Sequence, residues 1–193
     1  MSTKNLTETE VKISVKDRDA SSVVRLLESK GLQVSVPRLF EANAVYDTAD
    51  QKIRGAEMLL RLRQVGDKNI ITWKGPPVSG PYKSRPEIET RFDSFEALHQ
   101  ILEHLGYSVL FRYEKYRTEF SEPSGDGSVT FDETPIGNYL ELEGEGPWID
   151  EWAAKLGFKP ENYVLQSYSR LYIEFCREAG VQPSHMTFAS YTK

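Results

Sequence analysis

Near the start of the chain acids and a lysine occupy every second position, in Glu8-Thr9-Glu10-Val11-Lys12. The same spacing of charge returns at Arg61 and Arg63, at Arg85, Glu87, Glu89 and Arg91, at Lys115 and Arg117, and at Glu141 and Glu143. Between and beside these charges stand Val11 and Ile13, Leu60 and Leu62, and Leu140 and Leu142. Successive side chains of an extended strand point to opposite faces, so each of these segments would carry one charged and one apolar face. A single strand of this kind is an ordinary solvated surface. Repeated along the chain, with acids and bases mixed and arginine preferred to serine, threonine or glutamine, the pattern suits a sheet closed on itself. The charged faces would then line the interior and the apolar faces would be covered from outside.

Such an interior must be wet, self-paired or filled by a ligand, because taking an unpaired ion out of water is expensive. One ligand class uses both signs of charge. Guanidinium and ammonium groups neutralise phosphate oxygens while carboxylates hold a hard cation, so a polyphosphate with Mg2+ or Mn2+ is the expected occupant. No glycine-rich phosphate loop is present, since Gly75-Pro76-Pro77 is a turn, and phosphate binding would rest on side chains.

The elements that must position these residues follow from periodicity. Strands are expected at residues 8–16, 43–47, 58–64, 69–74, 83–92, 111–121, 128–132 and 139–145. Helices are expected at 19–30, with Val23, Leu26 and Leu27 on one stripe before Gly31, and at 95–105, with Phe95, Leu98, Ile101, Leu102 and Leu105 before Gly106. Two more are expected at 147–156 and at 166–179, the latter packing through Leu171, Tyr172, Phe175 and Cys176. The result is an α+β fold, an eight-stranded antiparallel β-barrel with flanking helices. It would form one domain over residues 1–180, with a loosely held tail at 181–193.

Composition narrows the function classes. A formal net charge of −5 over 193 residues offers no general basic field, which argues against nucleic acid as a partner. No apolar run approaches the roughly 20 residues of a membrane span, and the N-terminus lacks the apolar core of a signal peptide, so a cytoplasmic protein is expected. Cys176, the only cysteine, cannot form an intrachain disulfide and reads as a buried thiol. His99 and His104 fall on different faces of one helix and make no metal pair; His185 lies in the tail without an evident partner. Trp73, beside Lys74, reads as packed outside the barrel.

The ordered segments resemble the CYTH superfamily, the triphosphate tunnel metalloenzymes that include class IV adenylate cyclases and thiamine triphosphatases. Glu8-Thr9-Glu10-Val11-Lys12 matches the Glu-x-Glu-x-Lys signature. It is followed by Tyr46-Asp47-Thr48, Leu60-Arg61-Leu62-Arg63, Thr72-Trp73-Lys74-Gly75-Pro76, Arg85-x-Glu87-x-Glu89, Lys115-x-Arg117, Phe131-Asp132-Glu133 and the run from Gly137 to Gly144. The resemblance covers about residues 6–176. It implies the same eight-stranded tunnel, with Lys12, Arg61, Arg63, Lys74, Arg85, Lys115 and Arg117 contacting a phosphate chain. Glu8, Glu10, Asp132, Glu141 and Glu143 would bind Mg2+ or Mn2+ or orient water, with Glu87 and Glu89 as further metal candidates. Glu8, Glu10, Lys12 and Asp132 would form the catalytic group.

By the same resemblance the substrate would be a small-molecule triphosphate, such as ATP, thiamine triphosphate or inorganic triphosphate, with neither nucleic acid nor membrane as partner and a homodimer left open. Hydrolysis of an inorganic or organic triphosphate is the leading reading. The alternatives are cyclisation of ATP to cyclic AMP and pyrophosphate, and a non-catalytic polyphosphate-binding module, which would need only the cations. Asn5-Leu6-Thr7 stands where class IV cyclases carry a His-Phe pair, which weighs against a cyclase, while Ser167-Tyr168-Ser169-Arg170-Leu171 is similar to their Ser-Tyr pattern.

Overall fold

The alternating segments form strands that close on one another, in a computed structural model that describes residues 7–123 and 125–191. The strands are β1 (Thr7–Ser14), β2 (Gln33–Thr48), β3 (Leu59–Val65), β4 (Lys68–Lys74), β5 (Lys83–Phe92), β6 (Tyr107–Ser121), β7 (Gly127–Thr134), β8 (Gly137–Gly144) and the short β9 (Tyr163–Val164). Their order is β5-β4-β3-β2-β6-β7-β8-β1, and β1 pairs with β5 to close the ring. The barrel is therefore eight-stranded, with β9 added beside β1, and every pairing between named strands is antiparallel. Closure removes the free edges that an open sheet of this charge pattern would expose.

The helices are α1 (Ala20–Ser29), the single turn α2 (Lys52–Gly55), α3 (Phe95–His104), α4 (Gly146–Lys155) and α5 (Tyr168–Ala179). Three start at side-chain caps: Asp19 accepts from the Ser22 amide at 2.9 Å, Ser94 from Ala97 at 3.2 Å and Ser167 from Arg170 at 3.4 Å. Outside the barrel, Val11, Ile13, Val129, Phe131, Leu140 and Leu142 meet Val23 and Leu27 of α1 and Ile149 and Trp152 of α4. On the other side Ala44, Tyr46 and Leu62 pack with Leu102 of α3. Each such side chain contributes roughly 1.5–3 kcal/mol on burial, so the apolar faces hold the helices on and leave the charged faces to the interior. Trp148 of α4 lies so close to the sheet that a Cβ at Gly127 would sit 2.6 Å from its ring, which explains a glycine at the start of β7.

Two expectations change. β2 is far longer than residues 43–47. It carries Pro37 at register shifts between Val34, Val36 and Leu39, where bulges let a residue without an N–H sit in a strand. The tail also differs from a loosely held end as far as it is described. The Met186 amide donates to the Arg112 carbonyl at 3.0 Å and the Met186 carbonyl accepts from Glu114 at 2.9 Å, while His185 Nδ1 accepts from the Arg112 amide at 3.2 Å. β7 pairs with β6 only over residues 116–121, so the Arg112–Glu114 backbone needs another partner and the tail supplies it. Met186 is fully buried beside Tyr172 and Cys176. Residues 192–193 lie outside the described residues, as do Asn5 and Leu6. Among the described residues no helix is long and apolar enough to cross a membrane.

Candidate active site

Strand register carries the charged faces inward and opposite one another. Glu8 lies against Arg85 and Glu10 against Lys83 between β1 and β5, while Lys12 meets Glu141 and Glu10 meets Glu143 between β1 and β8. Lys74 lies against Glu87 and Thr72 against Glu89. Arg61 stands beside Thr72, and Arg117 beside Asp132. Glu10, Lys12, Arg61, Lys74, Arg85, Lys115, Asp132 and Glu141 are all buried.

Under the end that α5 covers, the charges are paired. Asp132, with no exposed surface, accepts from Lys115 Nζ at 2.9 Å, from Arg117 Nε and Nη2 at 2.6 Å each, and from the Tyr168 hydroxyl at 2.6 Å. Lys12 Nζ lies 2.7 Å from Glu141, and Arg117 also contacts Glu141. The Tyr168 ring of α5 sits over Lys12, 4.7 Å from Nζ to the centroid, and over Lys115 at 5.4 Å. Burial and then the Asp132 and Glu141 charges push the Tyr168 phenol well up, so it stays a donor to Asp132. Glu41 completes the group at 3.5 Å from both Lys115 and Arg63. Burial opposes its ionisation, but Lys115, Arg63, Arg117 and Arg61 hold it at about 2.

Further along β1, away from Tyr168, the acids outnumber their partners. Glu8 and Glu87 share Lys74, and Glu10 pairs with Lys83. Burial, the hydrogen bond with Glu87 and the charge of Glu10 push Glu8 up to about 8. Partial desolvation and then Glu10 and Glu87 raise Glu143, an exposed residue near the end of β8. Glu10 goes the other way: burial resists its charge, yet Lys83, Lys12 and Lys74 hold it at about 2.

Glu8 makes stability depend on pH. The folded chain keeps its proton between the ordinary value of 4.5 and about 8, where the unfolded chain has released it. Its contribution is therefore complete below about pH 4.5 and is lost as the pH rises through about 8. The melting temperature is expected to fall from about pH 5 to about pH 8 and to do so less in Glu8→Gln, which keeps the neutral form. An unchanged slope in that variant, read by scanning fluorimetry, would place the titration elsewhere.

The donor chemistry of this second group suits a hard divalent cation, being all carboxylate oxygen and strained by mutual repulsion. Among the described residues, however, no three His, Cys, Asp or Glu side chains converge into a ready-made cage. One or two of Glu8, Glu10, Glu87 and Glu143 would suffice for such a cation if oxygens from outside the protein completed its shell, as is common for Mg2+. Asp132 and Glu141 are instead engaged by Lys12, Lys115 and Arg117. Glu89 stands at the rim, 40% exposed, accepting from the Thr72 hydroxyl at 2.9 Å. Arg91 is exposed and outside the group.

The alternation rule missed several inward residues. Lys83 continues the spacing of Arg85 and was legible on that rule. Glu41, Asn43, Thr72 and Tyr113 come from β2, β4 and β6, where polar and apolar inward positions mix and the rule loses contrast. Tyr113 and Thr72 accept from Arg61 Nη1 at 3.1 Å and Nη2 at 3.0 Å, fixing its guanidinium. Tyr46-Asp47-Thr48 serves structure: Asp47 accepts from the Ile53 and Arg54 amides at 2.9 Å, capping α2, and the Tyr46 hydroxyl meets His99 Nδ1 at 2.9 Å.

The sequence profile of the CYTH domain matches residues 6–168. A candidate adenylate cyclase of Methanocaldococcus jannaschii is 29% identical over 134 residues, 69% of this chain and 75% of that protein. Among solved structures, a candidate adenylate cyclase from Vibrio parahaemolyticus superposes with a TM-score of 0.75 at 18% identity, over 87% of this chain and 98% of that one. A Hippeastrum protein, named a candidate adenylyl cyclase with a dominant triphosphatase activity, superposes at 0.60 and 14% identity, over 92% and 97%.

Proposed function

This protein belongs to the CYTH domain family, and from that premise we propose that it is a metal-dependent enzyme that hydrolyses a triphosphate bound inside the barrel. The observation that carries this reading is the series Lys12, Arg61, Arg63, Lys74, Arg85, Lys115 and Arg117, all contributed to one closed interior by five different strands. Spaced cations of this kind neutralise a chain of phosphates rather than one. Phosphoryl transfer asks a protein mainly for positioning and charge neutralisation, and both are available here. Mg2+ or Mn2+ held at Glu8, Glu10, Glu87 or Glu143 would supply further neutralisation of the phosphate chain.

Within that arrangement the chain's own groups divide the work. The cations withdraw charge from the phosphate oxygens. Glu10, ionised, accepts a hydrogen bond from the attacking water and aims it at the terminal phosphorus. Glu8 or Glu143, in its ionised form, takes the water's proton as the new P–O bond forms and the bridging P–O bond breaks. Asp132 and Glu141 hold Lys12, Lys115 and Arg117 in place. Orthophosphate and the shortened chain leave.

The naming of the Methanocaldococcus relative supports a second reading, in which the ribose 3′-hydroxyl of ATP attacks the α-phosphorus and pyrophosphate leaves. One experiment separates the two. The protein is incubated with Mg2+ or Mn2+ and inorganic triphosphate, thiamine triphosphate or ATP, and products are resolved by chromatography. Orthophosphate release is expected; cyclic AMP with pyrophosphate would establish the cyclase instead. In parallel, inorganic triphosphate should raise the melting temperature clearly, by about 2.7 kcal/mol of stability at 100 times its Kd, and orthophosphate much less. Equal shifts for the two would overturn the continuous cradle.

A further inference from the structure

The inward wall made by β2 and β3 contains one polar side chain that neither the ion pairs nor the proposed chemistry uses. Asn43 is 3% exposed, and neither its Nδ2 nor its Oδ1 has a hydrogen-bond partner among the described residues. Buried amides are ordinarily satisfied, and an exception in a well-packed interior calls for an explanation. Neighbouring strands place Arg63 on one side of it and Tyr113 on the other. Arg61 and Arg63 on β3 likewise keep their Nε atoms buried and without partners. Three unmet N–H donors, one neutral and two cationic, thus belong to two adjacent strands whose inward positions face one interior.

Packing does not account for the amide. An alkyl side chain of similar volume would fill the same space without leaving a donor and an acceptor unmet, and so would be better tolerated by the fold alone. Neither does local structure. Asn43 sits in mid-strand, paired across to Arg63 and Tyr113, where asparagine has low strand propensity and no turn or helix end to cap.

We infer that Asn43 is a direct substrate contact: its Nδ2 donates to a non-bridging phosphate oxygen of the triphosphate, beside the guanidinium group of Arg63. A neutral donor at that position adds directional recognition without adding to the repulsion among the cations. Its Oδ1 faces the same interior and accepts from a water or hydroxyl that accompanies the ligand, since a phosphate oxygen cannot donate to it. This rests on the proposed triphosphate reading and adds to it a residue outside the charged series.

The inference makes stability and binding move in opposite directions. In Asn43→Leu, close in volume, the melting temperature of the protein alone should stay at or above that of the wild type, because the unmet groups are gone. Titration calorimetry with inorganic triphosphate and Mg2+ should show Kd weakened by about 10- to 100-fold, the scale of a lost hydrogen bond to a charged group. Asn43→Ala, which adds no bulk, should weaken binding similarly and guards against a steric effect of leucine. Wild-type affinity in both variants would overturn the inference, and so would a clear fall in melting temperature in both, which marks a structural amide. If the wild-type protein itself fails to bind triphosphate, the proposed function falls; if it binds and the variants bind equally, only the role of Asn43 falls.

Discussion

Replacing Asp132 by alanine is expected to cost about 3–5 kcal/mol of folding stability, the scale on which a buried ion pair fails when one partner is removed. The carboxylate is the junction of four donors, Lys115, the two nitrogens of Arg117 and the hydroxyl of Tyr168, and it is completely buried. Without it two cations remain inside the barrel with only Glu41 and Glu141 to balance them. Tyr168 also loses its acceptor and α5 one of its ties to the barrel. Urea denaturation at constant pH measures the loss, and a change below about 1 kcal/mol would mean that the cations are solvated rather than held. Inorganic triphosphate should recover part of the stability, since it offers the stranded cations new acceptors. Recovery is a linkage effect, so it should grow with the logarithm of ligand concentration.

Loss of turnover should dominate over loss of binding when Glu10 becomes glutamine. The ionised carboxylate is proposed to orient the attacking water, and positioned proton-transfer groups contribute about 100- to 10,000-fold to rate, so kcat should fall on that scale. Affinity should hold or improve, because a negative charge facing the phosphates has been removed. The pairing with Lys83 is lost as well, so turnover must be referred to the folded fraction. Chelation should act on the same part of the site: EDTA should take turnover to background, and Mg2+ or Mn2+ should restore it. Normal kcat in Glu10→Gln at saturating Mg2+ would remove Glu10 from the chemistry. Full turnover in chelator would remove the metal.

The two predictions touch different halves of an acid set that looked uniform in the sequence. Glu8, Glu10, Asp132, Glu141 and Glu143 recur at the same spacing and of the same type, and nothing local separates them. Tertiary structure does. Asp132 and Glu141 lie where β6, β7, β8 and β1 bring lysine and arginine to them, and they are consumed in organising those cations. Glu8, Glu87 and Glu143 lie with Glu10 around few cations, and desolvation together with these neighbouring acids raises Glu8 and Glu143.

What the sequence determined by itself was the closed antiparallel barrel and which face of most strands turns inward. Both are properties of a period of two, and a period of two is local: it sorts the charged residues of a strand to one face and the apolar residues to the other. The helices were legible because their apolar stripes are local too, as with Val23, Leu26 and Leu27 before Gly31 and Phe95, Leu98 and Leu102 before Gly106. Tertiary structure alone decided the length of β2, where bulges admit Pro37, and the docking of residues 185–188 along β6. It alone brought the Tyr168 hydroxyl to Asp132 across 36 positions of sequence. It also decided which acids pair and which repel, and that Asn43 lies buried with its amide unmet. Those outcomes depend on which strands become neighbours and in what register. A charge pattern read one strand at a time specifies the inward face of each, but not what stands opposite.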